Sequence, residues 1–262
     1  MKIGVLVKQV RDTESKIRVA GDGNGIEEGD IKWIVSPYDE FAIEEALKLK
    51  VSAGAEEVVV ISLGKARTLE AARTALAMGA DRAVILDDAG FEGSDALGTA
   101  RALAAAIEKE GIGIVFGGRQ AIDQDSNQVP QIVAGILGWP HATWINSFEY
   151  EGETVKIKRP VGGGKVEVAR LSVPAVLTCT KGLNTPRYAS LPGIMKAKSK
   201  PVVRYSPADL GVEASVGAAG AKAVHSGFHM PPARPEGRML SGDLGDQVKE
   251  LVRALREEAK VL

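Results

Sequence analysis

The chain has 262 residues, 45% of them hydrophobic and 26% charged, with a formal net charge of −1. That length can bury a substantial core, and the near-neutral charge supplies no global field to attract nucleic acid or an anionic membrane. The single cysteine, Cys179, excludes an internal disulfide, and with only His141, His225 and His229 to accompany it a structural zinc site is not expected.

The opening MKIGVLVKQV has an apolar run too short for a signal peptide. No stretch approaches the ~18–20 apolar residues of a membrane span, so a cytoplasmic protein without membrane insertion is expected. Residues 3–7 read as a buried parallel strand. Residues 11–30 are charged and Gly-rich, a long loop or loose hairpin. Ser36, Pro37, Tyr38 and Asp39 then start a helix over 40–50, apolar at 41, 42, 43, 46, 47 and 49. Asp39, Glu40, Glu44 and Glu45 lie in its first turns, where acidic side chains suit the positive end of the helix dipole.

A second strand is expected at 57–62, an Ala-rich helix at 68–78 ended by Gly79, and a third strand at 82–86. Another Ala-rich helix follows at 95–110, a fourth strand at 112–116 and a helix at 129–137 ended by Gly138. Strand and helix thus alternate at roughly 25–30 residue spacing, the sign of βαβ units, so a Rossmann-like α/β fold with a helix-flanked parallel sheet is expected. Loops at the strand C-termini would then line a ligand crevice.

From about Ser147 the pattern changes. Residues 148–157 and 165–171 alternate apolar and polar around Gly162, Gly163 and Gly164, a β-hairpin spanning 147–172. An apolar strand is expected at 173–178. Residues 181–200 are punctuated by Pro, Gly and Lys, 214–237 read as an extended linker, and 240–262 end in a helix. Ser241 or Asp243 is the candidate cap of that helix, with Leu244, Val248, Leu251, Val252 and Leu255 on one face. Two domains are expected, 1–205 and 206–262.

Four features could carry chemistry. One is Ser36-Pro37-Tyr38-Asp39 before the acidic helix, for which a plain helix start is the better account. The loop 117–128, between a strand and a helix, offers Gly117 and Gly118 for close backbone approach and Ser126, Asn127 and Gln128 as neutral donors. Ser126 and Asn127 can cap the following helix, whose N–H groups favour an anion; Asp123 and Asp125 are expected to accept from loop N–H groups. A plain capped loop accounts for it equally well, since neither GxGxxG nor GxxxxGK[ST] occurs. The loop Leu63-Gly64-Lys65 should face the same crevice. Finally, 181–208 contains no Asp or Glu, and Lys196, Lys198 and Lys200 stand beside Leu191, Pro192, Ile194 and Met195. That suits either docking of an acidic partner or a solvated loop with its apolar residues tucked into the core. No GxSxG, HExxH or CxxC occurs, and no catalytic residue is assigned.

The stretches SPYDEFAIEEALKLK, RTALAMGADRAV, GRQAIDQDSNQ with GWPHAT, and LNTPRYASLPGIMKAK occur in that order. Together they resemble the β (small) subunit of electron-transfer flavoproteins. The resemblance implies an adenine-nucleotide α-hydrolase-like fold and an electron carrier in place of an enzyme. It implies a heterodimer with a larger α subunit holding most of the FAD. Electrons would come from acyl-CoA and other primary dehydrogenases and leave to a membrane quinone oxidoreductase. A structural AMP would contact Leu6, Ser36, Pro37, Tyr38, Asp39, Leu63, Gly118, Gln120, Ala121, Ile122, Asp123, Asp125, Ser126, Asn127, Gln128 and Val129. Leu191 would anchor a dehydrogenase, with Lys196, Lys198 and Lys200 beside it, and Tyr38 would approach the partner's isoalloxazine edge. The sequence departs from the family at Ser36, usually Asn, at Thr13, an aromatic in some members, and at the Gly-rich turn. Two rivals are a bifurcating β subunit, with a second FAD in place of AMP, and a stand-alone adenine-nucleotide-binding protein. Asn127, bulkier than the residue usual in the bifurcating branch, suits the AMP type.

Overall fold

In a computed structural model, residues 1–234 and 236–262 are described, and the chain divides into two units, Met1–Gly227 and Phe228–Leu262. Pro235, in the stretch read as a linker, lies outside the described residues.

The first unit is built on a seven-stranded sheet whose neighbouring strands are all parallel, in the order β12-β5-β4-β1-β6-β11-β7. The strands are β1 (Lys2–Leu6), β4 (Glu57–Leu63), β5 (Arg82–Leu86), β6 (Ile112–Gly118), β7 (His141–Ile145), β11 (Ala175–Cys179) and β12 (Val202–Arg204). Helices α1 (Pro37–Ala53), α2 (Thr68–Met78), α3 (Ala96–Glu110) and α4 (Val129–Leu137) connect them.

The continuous apolar runs have a two-faced explanation. Val58, Val60, Ala83, Ile85, Ile114 and Phe116 join the core under α1 and α2. Their neighbours Val59, Ile61, Val84, Leu86 and Val115 join the opposite core under α3 and α4. Successive side chains on a strand leave by opposite faces, so a sheet covered on both sides needs apolar residues at every position. Ala71, Ala72 and Ala75 of α2 and Ala100, Ala102, Ala104 and Ala106 of α3 let the helices lie close to it.

The bounds expected for α2, β5 and α4 coincide with those observed, and Asp95 caps α3 by accepting from Gly98 N at 2.8 Å. The charged stretch read at 11–30 lies between β2 (Gln9–Arg11) and β3 (Trp33–Val35), whose short antiparallel pairing closes a loose hairpin. Residues 148–157 are two strands, β8 (Ser147–Tyr150) and β9 (Thr154–Pro160), separated by a turn at Gly152, where φ is 86°. With β10 (Val166–Ser172) they form a three-stranded antiparallel sheet. The apolar set changes phase across this turn, from Phe148 and Tyr150 to Val155 and Ile157. The Gly-rich turn is as expected: Val161 N donates to Lys165 O at 3.1 Å and Lys165 N to Gly162 O at 3.0 Å. Strand β7 and helix α5 (Leu191–Ala197) were missed; Ser190 caps α5 by accepting from Gly193 N at 3.2 Å. Two helical turns, α6 (Pro207–Leu210) and α7 (Gly217–Gly220), complete this unit.

The second unit holds α8 (Leu244–Arg253), capped by Asp243, which accepts from Asp246 N at 2.9 Å, and a wider π-type turn at Ala254–Glu258. Leu244, Val248, Leu251 and Val252 of α8 are exposed.

Candidate functional site

The chain builds β1, β4 and β5 outward in one direction, then crosses by α3 to place β6 on the other side of β1. Such a reversal leaves a crevice at the carboxyl ends of the central strands. A cleft of about 710 Å³ lies there, bounded by Leu6, Ile61 and Leu63 from the strand ends, by Leu103 of α3 and by the loop 117–130.

Asp39 joins the three elements that form its base. From the first turn of α1, its carboxylate accepts from Lys8 N at 2.7 Å, just past β1, and from Gly118 N at 2.9 Å, at the end of β6. Burial pushes this carboxyl up to about 7, against the two backbone donors and the Lys8 charge. Gly118 has no room for a side chain: a Cβ there would run into the Asp39 carboxylate and lie 2.8 Å from the Tyr38 backbone carbonyl carbon. The expectation that Asp39 serves the helix dipole is therefore too narrow, because it fastens α1 to two strands.

The loop after β6 is held by its own side chains. Arg119 lies between Trp144, 3.9 Å from its ring centroid, and Tyr38, at 4.8 Å. The Asn127 amide accepts from Trp144 Nε1 at 3.0 Å and donates to the Arg119 carbonyl at 2.5 Å. Asp125, Asn127 and Trp144 have φ of 50°, 49° and 60°, a region that costs most residues energy and is most tolerated by Asn and Asp. Asp123 meets Lys8 Nζ at 2.8 Å and Asp125 accepts from Gln120 Nε2 at 2.7 Å. These two carboxylates thus bind side chains, not the backbone N–H groups expected of them. Nor do Ser126 and Asn127 cap α4: its cap position is Gln128, with no side-chain cap bond.

Of the expected nucleotide contacts, Leu6, Asp39, Leu63, Gly118, Gln120, Ala121, Ser126, Asn127, Gln128 and Val129 line the cleft. Pro37, Tyr38, Ile122, Asp123 and Asp125 stand outside that lining. So does Ser36, which is fully buried with its Oγ unpartnered among the described residues. Arg119, within the expected loop, lines the cleft too, and Lys8 is a lining residue the sequence did not point to. The reading also missed Ser94, Asp95 and Thr99 at the start of α3, and Ala223, Val224 and His225. The first three of these follow β5 on the carboxyl edge of the sheet, so the topological rule that picked out Leu63 applies to them equally.

The donor set fits a mononucleotide. Gln124, Ser126 and Gln128 offer neutral polar groups beside the N-terminus of α4, and Leu6, Leu63, Leu103 and Val129 offer apolar surface. The carboxylates of Asp39 and Asp95 are occupied by backbone N–H groups.

At α5, Leu191 and Met195 are 72% and 68% exposed and Ile194 46%, beside exposed Pro192, Lys196 and Lys198. The alternative in which these apolar residues tuck into the core is not realised. Lys200 differs from its neighbours: its ammonium donates to Leu76 O at 2.9 Å, in the last turn of α2, and to Ala80 O at 2.5 Å, just past its end. Burial lowers its pKa. Arg73 of α2 donates to the carbonyls of Ala197 and Lys200, so the two chains of cations and carbonyls clip α5 to α2. Further back, Arg187 clamps Glu44 of α1 at 2.7 and 2.9 Å.

No helix among the described residues is long and apolar enough to cross a membrane. The profile of the electron transfer flavoprotein domain matches residues 24–210. The electron transfer flavoprotein subunit beta of Bradyrhizobium diazoefficiens is 43% identical over 262 residues, covering all of both chains. The mitochondrial subunit beta of Oryza sativa subsp. japonica is 41% identical over 269 residues, again covering all of both. The Homo sapiens subunit beta is 44% identical over 215 residues, 81% of this chain and 84% of that one. A parallel sheet with a cleft at its switch point, and relatives matched from end to end, lead to one conclusion: the chain belongs to the electron transfer flavoprotein family, as a β subunit.

Proposed function

We propose that this chain holds a structural AMP in the cleft at the carboxyl ends of β1, β4 and β6, within a cytoplasmic heterodimer whose α subunit carries most of the FAD. When bound, the FAD would supply the redox chemistry, between acyl-CoA and other primary dehydrogenases as electron donors and a membrane quinone oxidoreductase as acceptor. This chain's own residues bind and orient. Gln120, Ser126, Asn127 and Gln128 would hold the phosphate and sugar, while Leu6, Leu63 and Val129 would flank the base. Asp39 holds the base of the cleft closed through Lys8 N and Gly118 N. Leu191, Ile194 and Met195 on α5 would meet the dehydrogenase, with Lys196 and Lys198 attracting acidic partners. The apolar face of α8 would pack on the α subunit.

The observation that carries the nucleotide reading is the cleft itself, about 710 Å³, with the loop after β6 along one side of it. Denaturing the purified yellow complex and chromatographing the released nucleotides tests it. One AMP per heterodimer is the expected result; FAD released from this chain overturns it.

A further inference from the structure

One wall of the cleft comes from far along the sequence. Ala223, Val224 and His225 line it together with Ser94, Asp95 and Thr99. They are held there by two side chains at the start of α3. Asp95 spends one carboxylate oxygen on the helix cap, accepting from Gly98 N at 2.8 Å. Its other oxygen accepts from Lys222 N at 2.7 Å and Ala223 N at 3.1 Å. Ser94 Oγ accepts from Gly217 N at 2.7 Å. The seat is close: a Cβ on Gly93 would lie 2.9 Å from that of Ala218. The backbone donors also hold the Asp95 carboxyl below its ordinary range, Gly98 first and Lys222 next.

The strand and helix walls are parts of the core, and the loop after β6, although its Gln124, Ser126 and Gln128 are exposed, is tied down by Arg119 and Asn127. Leu6, Ile61 and Leu103 are buried, as are the strands and helices that carry them, whereas residues 222–225 are exposed. Local opening takes place where little apolar surface is buried. We propose that residues 221–225 form a strap closing the nucleotide cleft, that Asp95 is the positioning residue that latches it, and that release of the latch governs exchange of the bound mononucleotide. The proposal deepens the AMP reading and rests on it. His225 is then the strap side chain facing the nucleotide.

Asp95→Asn and Asp95→Ser separate the two duties of Asp95. Both residues cap helices well, so α3 keeps its first turn. Asn, however, turns an amide donor toward Lys222 N and Ala223 N, and Ser is too short to reach them. The full chain, co-expressed with its larger subunit, is loaded with labelled AMP and chased with unlabelled AMP. Limited trypsin cleavage after Lys222 is followed in parallel. Both variants should release AMP about tenfold faster or more, the factor that corresponds to 1.4 kcal/mol, and should be cut faster after Lys222. Ser94→Ala, which leaves the cap untouched, should move both readouts the same way by less. Unchanged cleavage in the Asp95 variants overturns the latch. Faster cleavage with unchanged AMP release overturns the strap as a wall of the site. A wild-type complex that yields no AMP defeats the nucleotide reading itself, while the cleavage assay still decides whether Asp95 holds the strap.

Discussion

Adding one methyl group at Gly118 tests whether the cleft is built around the Asp39 junction. A Cβ at this position would collide with the Asp39 carboxylate and lie 2.8 Å from both the carbonyl carbon and the Cβ of Tyr38. The carbonyl carbon is backbone at the start of α1, so no rotamer change relieves the contact. Overpacking of this kind costs about 1–3 kcal/mol. Displacing the carboxylate also breaks the 2.9 Å bond from Gly118 N, and a bond to an ionised group is worth about 1.5–3 kcal/mol. The same displacement causes both losses, so they overlap and the expected total is about 3 kcal/mol. At roughly 2–4 °C per kcal/mol for a chain of this size, Gly118→Ala should lower Tm by about 6–12 °C. Gly117→Ala is the matched control. Its Cβ would meet Pro130 Cγ at 3.5 Å and Leu6 Cβ at 3.6 Å, ordinary van der Waals contact, so its expected cost is under about 1 kcal/mol. Urea and thermal unfolding at pH 8, where the Asp39 carboxyl is ionised, measure both. Equal stabilities for the two variants would refute the reasoning.

Asp39 also predicts a pH dependence. Its folded pKa is raised from 3.8 to about 7, so its protonation favours the folded state. That contribution is fully present below 3.8 and is lost as pH rises through about 7; wild-type unfolding free energy should fall between pH 4 and 7 more steeply than that of Asp39→Asn. Lys200→Met leaves Leu76 O and Ala80 O without their cationic partner and should cost about 1–2 kcal/mol in urea unfolding. Lys196→Met and Lys198→Met, on an exposed helix, should stay within about 0.5 kcal/mol of wild type. Leu191 is 72% exposed, so Leu191→Ala should leave Tm and nucleotide content unchanged. It should weaken coupling to a dehydrogenase by about 2 kcal/mol, the scale of an apolar anchor. Unchanged transfer rates with several dehydrogenases would remove Leu191 from the docking surface.

How legible the chain is depends on how local the cause of each feature is. Helices α2 and α4 were readable to the residue because Gly79 and Gly138 end them and their flanks break the pattern. The division of 148–157 was not, because Gly152 alone marks the turn and the apolar set only changes phase there, from Phe148 and Tyr150 to Val155 and Ile157, within a short window. Helix α5 was hidden because a short segment carrying Pro192 and Gly193 has little intrinsic helix tendency; Ser190, Arg73 and Lys200 hold it in place. In the site, the loop 117–128 drew notice through its glycines and neutral donors, but its inner bonds did not. Positive φ at Asp125 and Asn127, and the stacking of Arg119 between Tyr38 and Trp144, depend on where β7 and α1 bring their side chains.

Period and punctuation in the sequence alone determined the βαβ order, and with it a parallel sheet covered on both faces and a crevice at its carboxyl edge. A run of apolar residues cannot be left exposed on either face, and that constraint is written locally. Which polar groups end up serving structure and which are left for a ligand was decided only in three dimensions. Lys200 and Lys198 read alike in the sequence, yet one caps α2 and the other is exposed. Asp95 reads only as the start of a helix, yet it caps α3 and also holds a segment 127 residues further on. A hydrogen bond depends on the position of its partner, and for these side chains the partner is remote in the chain and adjacent only in the fold.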